Sequence, residues 1–431
     1  MAELVTDVTS TGRPAVVTVC RMVVEQPVFN PFAPDFAPNP YPHYARMREL
    51  DPVHESPIGV WMLFRYDDVL RVLRDPSLSV EERNGIVPPA MVNAEREALA
   101  AGRSNGTRAM LNLDPPDHHR LRRLVAKVFT PRVVEDLRPQ IQSLFDDLVR
   151  DAETRADGEL DVISDIAFPL PFSVISDLLG MPDGQDRLQL RTWSGDLVKT
   201  LDPIISDAEF AAALEASDQM TVYLREVIEW KRANPADDLL TALLAAEDAG
   251  DRLSEQELVD QVFLLFIAGH ETTVNLIGNS TLALLRNRAQ MELMAGDPAL
   301  DANAIDEFLR YDPPVQDSRR ITLTDIEIRG RTIPAHTFLL TSLASANRDA
   351  DQFGPTADAL DITRANAGTH VAFGGGFHHC LGAALARLEG QVAVGGLVRR
   401  YPRMELTADE LVYNGRFVLR GLTALPVALS S

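Results

Sequence analysis

Cysteine is nearly missing from this chain. Its 431 residues include only Cys20 and Cys380. Two cysteines cannot build a disulfide framework, so a stapled secreted scaffold is excluded and a cytoplasmic enzyme is the expectation. Basic charge is also scarce: 41 Lys and Arg stand against 63 Asp and Glu, a formal net charge of −22. Binding to phosphate backbones or anionic lipid needs clustered cations, so neither a nucleic acid nor a membrane surface is an expected partner. Long apolar runs are absent. The longest without charge, Val262 to Gly269, falls far short of the ~20 residues that cross a bilayer. The apolar stretch Ala15–Val24 contains Arg21 and follows Glu3 and Asp7, so no secretory leader is predicted. No Gly-x-Gly-x-x-Gly fingerprint is found, which argues against a fused flavin or nicotinamide module.

What remains is ordinary globular material, 45% hydrophobic and 24% charged. A chain of this length buries roughly three-quarters of its unfolded surface and can enclose a large ligand. Helical periodicity dominates. Helices are predicted over His43–Leu50, from Asp67 to about Asp75, over His118–Phe129, from Pro131 to about Glu153, and over Pro169–Leu179. Residues 185–248 alternate helix with breaks at Pro203 and Pro235. Ser254 and Glu257 form a capping box ahead of about 33 helical residues, roughly 50 Å, ending at Arg286. The middle of that helix is apolar all round, so it should cross the core. Further helices are predicted over Ala304–Tyr311 and Leu381–Arg400. Short strands are expected at Val60–Phe64 and over 321–343, and a hairpin over Phe417–Val427. The sum is a mainly α single domain with small β regions over residues 29–431, behind an N-terminal extension, residues 1–28, expected to be poorly ordered.

The sharpest local feature is Phe373-Gly374-Gly375-Gly376-Phe377-His378-His379-Cys380-Leu381-Gly382. Three glycines let the backbone turn tightly and approach a flat ligand. Cys380 follows at a predicted helix start, where the helix dipole favours a thiolate. Such a sulfur suits axial ligation of haem iron. A buried structural cysteine is the common alternative for a lone Cys. Zinc on His378, His379 and Cys380 with His118 or His119 is a weaker one, because adjacent ligands on one turn rarely make a tetrahedron.

Three other segments carry chemistry. Ala268-Gly269-His270-Glu271-Thr272-Thr273 places an acid and an alcohol in the middle of the apolar helix, where Glu271 needs water or a partner and Thr272 can divert a backbone bond. Glu307-x-x-Arg310 is a same-face pair. In Asp114-Pro115-Pro116-Asp117-His118-His119-Arg120-Leu121-Arg122, His118 and Arg122 share a helix face at i and i+4.

Together these segments resemble the soluble bacterial cytochrome P-450 enzymes, over roughly residues 30–428. The resemblance implies that fold, a triangular helical domain whose long central helix crosses the haem, and a haem b cofactor on the Cys380 thiolate within the loop of Phe373, Gly374 and Gly382. It implies that His118, Arg122, Arg320 and His378 clamp the haem propionates. Gly269 would leave a groove for oxygen, with Thr272 hydrogen-bonding it and Glu271 relaying protons. Glu307 and Arg310 would form a buried structural pair completed by a later arginine, Arg364 in preference to Arg348.

The resemblance also places the substrate pocket on the distal haem face, lined by Leu264, Ile267, Ala268, Val315, Gln316, Val418 and Leu419. Most are aliphatic, so a hydrophobic substrate held by burial is expected. Residues 83–110 and 185–210 should form the lid. The implied activity is oxygen-dependent monooxygenation. Peroxide-driven chemistry on the same scaffold, and haem sensing or carriage without turnover, are the alternatives. Electrons would come from a separate ferredoxin and ferredoxin reductase, with docking expected on a basic strip of Arg120, Arg123, Lys127 and Arg132.

Overall fold

A computed structural model describes residues 27–429 except 88–107, 129, 156–157, 183, 185 and 249, together with the two-residue strands Asp7–Val8 and Pro14–Ala15. The rest of the expected extension 1–28 and most of the expected lid segment 83–110 lie outside the described residues.

The helices that matter for the site are α1 (Tyr41–Leu50), α2 (Tyr66–Arg74), α3 (Asp117–Val128), α4 (Pro131–Asp136), α5 (Arg138–Arg155) and α6 (Pro169–Leu178). After them come α7 (Arg187–Val198), α8 (Asp207–Ala233), α9 (Leu239–Ala245), α10 (Glu255–Arg286), α11 (Arg288–Gly296), α12 (Asp301–Tyr311) and α13 (Ala383–Arg400). The stretch read from sequence as one helix beginning at Pro131 is two. Leu137 is a turn, and Pro139 in the first turn of α5 lacks the amide that a continuous helix would use. Helix α11 had no sequence expectation.

Helix α10 begins at a capping box with both halves made: the Ser254 hydroxyl accepts from the Glu257 amide, and the Glu257 carboxylate accepts from the Ser254 amide. Its far half, from Thr273 to Leu284, is buried on every face. That is the pattern of a helix enclosed by others, and α6, α8, α12 and α13 pack around it. The main core has α10 and α13 as its spine, with Phe266, Leu276, Ile277, Ile305, Phe308, Leu388, Val394 and Leu397 among its members.

Two small sheets flank this helical body. One has four strands in the order β1 (Val53–Glu55), β2 (Trp61–Leu63), then Phe338–Ser342, then Asp317–Ile321. Trp61 aligns with Leu339 in parallel, and Arg320 aligns with Leu339 from the other side in antiparallel. The second sheet joins Glu159–Asp161 and Glu405–Leu406 through Pro426–Ala428. The hairpin expected over Phe417–Val427 is displaced. Tyr413 bridges Leu422, and the intervening loop leans on Val315 through Leu419. Gly415, with φ of 70°, allows the turn that sequence alternation does not announce.

Candidate active site

Helix α10 is open where a core helix should be closed. Ala268 is exposed, and Leu264, Ile267, Glu271 and Thr272 are half-exposed, while Phe266 and His270 on the other side are fully buried. These open positions recur every three or four residues, so they form one face of the helix. Cys380 is likewise exposed, flanked by half-buried Phe373, Gly374, His378, Leu381 and Gly382. Two apolar surfaces from the middle of the fold are therefore accessible, one on α10 and one on the cysteine loop.

The loop is held from behind. The Cys380 amide donates to the Phe373 carbonyl at 2.9 Å, and the Gly374 amide to Val371 at 2.8 Å. At Gly376 a Cβ would stand 2.7 Å from the Leu73 carbonyl, and its φ is 66°, so the residue must be glycine twice over. Its smallness serves the approach of the loop to the end of α2, not to a flat ligand. Helix α13 starts at Ala383, two residues later than the sequence suggested, so Cys380 precedes the helix cap rather than opening the helix. Burial pushes its thiol pKa up, and the Gly382 amide, Arg122 and Arg387 act the other way. The sulfur thus meets the open space on one side and packed protein on the others.

Beside the loop, two histidines and two arginines converge. His118 is fully buried and neither ring nitrogen has a partner; Nε2 of His378 is also unpaired. The two rings lie 4.3 Å apart. Arg122 donates to the His379 carbonyl at 2.7 Å. Arg320, on the strand Asp317–Ile321, donates to the Arg319 carbonyl at 2.7 Å. Burial, then repulsion from Arg122 and His119, holds His118 down at about 4; burial, then His118, Arg320 and Arg122, holds His378 down at about 3. Burial also lowers Arg122, and lowers Arg320 to about 10. The carboxylate that Arg320 feels, Asp114, already accepts from Ser79, Val80 and Asn84. Such a cluster of under-used donors fits an anionic group carried by a ligand. His119 is exposed, and Arg319 is engaged by Glu82.

On α10 the Thr272 hydroxyl donates to the Ala268 carbonyl at 2.9 Å, and Thr273 does the same to Gly269 at 3.2 Å. The Thr272 oxygen therefore keeps its lone pairs for an incoming donor. At Gly269 a Cβ would point at Ile175 at 3.2 Å, so this glycine also lets α6 pack closely on α10.

The buried pair is bidentate. Arg310 donates to both Glu307 oxygens at 2.6 and 2.8 Å and to the carbonyls of Asn347, Ala357 and Ala359. Arg364 reaches Glu307 at 3.3 Å. Arg348 does not: it donates to the Tyr311 carbonyl and stacks on Tyr41.

Of the expected pocket residues, Leu264, Ile267 and Ala268 lie on the open face of α10, and Val315 and Val418 are half-buried. Gln316 and Leu419 are buried. The Gln316 amide donates to Pro313 at 2.7 Å and its oxygen accepts from Tyr44 at 3.4 Å, so its polar group braces the fold. The basic strip also changes. Arg120 is bound by Glu257 and Asp251, Arg123 and Arg132 are exposed, and the side chain of Lys127 lies outside the described residues. Sequence reasoning missed Asp202, whose carboxylate accepts from the amides of Phe417 and Val418 at 3.1 and 2.8 Å. It also missed His370, whose Nε2 faces Asp306 at 3.3 Å.

Known proteins resemble this chain over nearly its whole length. The family model described as "Cytochrome P450" matches residues 89–295 and 286–419. "Cytochrome P450 107B1" of Saccharopolyspora erythraea is 44% identical over 94% of this chain and 98% of its own length. "Vitamin D(3) 25-hydroxylase" of Pseudonocardia autotrophica is 44% identical over 92% and 96%. The solved structure of P450BioI, in complex with an acyl carrier protein bearing hexadec-9Z-enoic acid, superposes with a TM-score of 0.83 at 34% identity, covering 92% of this chain and 99% of that one.

Proposed function

Since this chain belongs to the cytochrome P450 family, a family of oxidoreductases that hold haem b on a cysteine thiolate, we propose that Cys380 is its axial ligand. We propose further that the chain uses dioxygen and ferredoxin-borne electrons to hydroxylate or epoxidise a hydrophobic small molecule. The observation that carries the reading is that two stretches packed on the main core stay open: the Leu264–Thr272 face of α10 and the cysteine loop.

Haem, when bound, supplies the redox-active iron at which dioxygen is activated, helped by electron density from the thiolate. The chain's own groups do the rest. Arg122 and Arg320 would neutralise the propionates, and His118 and His378, whose ring nitrogens include unpaired ones, would add hydrogen bonds to them. The Gly382 amide lowers the proton affinity of the sulfur. Leu264, Ile267 and Ala268 exclude water and hold an apolar substrate at about 25 cal/mol per Å² of buried surface. Thr272 accepts a hydrogen bond on its free lone pairs, and Glu271 carries protons in from water.

The open aliphatic face of α10 supports an apolar substrate, and so does the fatty acyl group bound to the carrier protein in the P450BioI complex. Arg123 and Arg132 are the exposed cations that suit an acidic ferredoxin. No helix among the described residues is long and apolar enough to cross a membrane, and the proposal sets the chain in the cytoplasm.

A screen of hydrophobic compounds for a spin-state change in the absorption spectrum tests the pocket. Turnover of a hit with reduced ferredoxin and oxygen is then compared with turnover on peroxide alone. Oxygenated product is expected in the first arm. Product only with peroxide, or ligand binding with no consumption of reductant in either arm, contradicts the proposal.

A further inference from the structure

His270 lies on α10 behind the open face, and no step of the proposed reaction uses it. It is fully buried on α10. Three rings enclose it: Phe266 at 5.4 Å, Phe172 at 5.8 Å and Phe168 at 6.2 Å between centroids. Its Nδ1 is 2.9 Å from the Phe266 carbonyl. A carbonyl oxygen only accepts, so Nδ1 carries a hydrogen. Nε2 then has a lone pair in the neutral ring, and no hydrogen-bond partner. The nearest charged oxygen is Oε1 of Glu271 at 3.5 Å, ion-pair range without hydrogen-bond geometry.

Two lone-pair atoms this close beside apolar rings repel; a proton between them turns the contact attractive. We propose that His270 is a positioning residue for proton delivery: its Nε2 and the Glu271 carboxylate share one proton, which holds the carboxylate ready beside Thr272. This rests on the proposed roles of Glu271 and Thr272.

The proton count closes within the pair. The shared proton passes from Nε2 to Oε1, leaving a neutral ring and a neutral acid. Glu271 then releases that proton on the side of the open face and takes a replacement from water. The carboxylate can do so because its side chain is 20% exposed. Nε2, sealed by the rings, exchanges only through Oε1. Other cations near the cage are Arg191 and Arg187 of α7, which stack on the outer faces of Phe168 and Phe172 at 4.2 and 5.7 Å.

The test uses the haem-loaded enzyme. His270→Phe fills the cage and removes Nε2; His270→Gln keeps a polar group that does not titrate. Both should keep the carbonyl spectrum and ligand binding. Product formed per electron pair should fall about tenfold, less than the roughly hundredfold that general-acid catalysis supplies at minimum. The pH profile of that ratio should lose one ionisation. Independently, histidine-selective ¹⁵N spectra of the ferrous carbonyl form should show an Nε2 signal that shifts in Glu271→Gln. Unchanged product yield and pH profile in both His270 variants, or an Nε2 signal indifferent to Glu271→Gln, overturns the proposal. If Glu271→Gln and Thr272→Ala themselves leave product yield intact, it is the underlying reading of that pair that fails.

Discussion

Glu307 has no solvent contact, yet it holds two guanidinium groups, Arg310 and Arg364. Desolvating three charges is tolerable because the arginines also spend their donors on carbonyls of the 347–359 segment. Removing the acid strands two buried cations. Glu307→Ala should therefore cost about 3–5 kcal/mol, read by denaturant unfolding. A loss under about 1 kcal/mol would mean that the pair is dispensable. Asp317 is the opposite case. It is buried, its oxygens are unpaired, and the hydroxyl of Ser342 across the ladder is unpaired too. Burial raises its pKa well above 3.8, the Ser342 hydroxyl opposes this, and the charge of Asp202 adds to it. The folded state thus holds the proton more tightly than the unfolded chain. The contribution of this one group to stability is fully present below 3.8 and is lost as pH climbs through its raised folded value. Asp317→Asn should melt higher at neutral pH and show a flatter pH dependence; thermal scans across pH check both.

Elements differ in how openly their sequences declare them. Helix α10 is legible because Ser254 and Glu257 mark its start and Asn287 follows its last turn. The break between α4 and α5 is harder to see, because apolar residues continue in phase through Leu137. At the site, Cys380 and the Glu271-Thr272 pair are legible because each is costly where it stands. The packing role of Gly269 and the bracing role of Gln316 are not. Each depends on a neighbour distant in sequence, Ile175 in one case and Tyr44 in the other. The same holds for the segment after α7, where the resemblance leads to the expectation of a lid. Asp202 grips the amides of Phe417 and Val418 there, and Arg416 adds a 3.1 Å contact to Glu209 on α8. Asp202→Ala removes the acceptor for both amides. Release of a bound spin-shifting ligand should quicken about tenfold, equivalent to ~1.4 kcal/mol. Stopped-flow displacement reads it, and an unchanged rate would mean that this contact does not hold the lid.

Across the whole molecule the acidic surface makes the remaining basic ground conspicuous. Arg120 pairs with Glu257 and Asp251, and among the described side chains of the strip Arg123 and Arg132 are exposed. Reversing both charges should slow reduction by an acidic ferredoxin and weaken its salt dependence, since attraction between unlike charges speeds association and is screened by salt. Identical rates at every ionic strength would place docking elsewhere. The proposed function rests on one bond, that of the Cys380 sulfur to the haem iron, with Arg122, Arg320, His118 and His378 proposed to hold the same cofactor by its carboxylates. Its most direct measurement is the absorption spectrum of the haem-loaded, reduced protein under carbon monoxide. The wild-type chain should give the red-shifted Soret band of a thiolate ligand, and Cys380→Ser should lose the shift. An unshifted wild-type band, or a shift that survives in Cys380→Ser, would contradict the account.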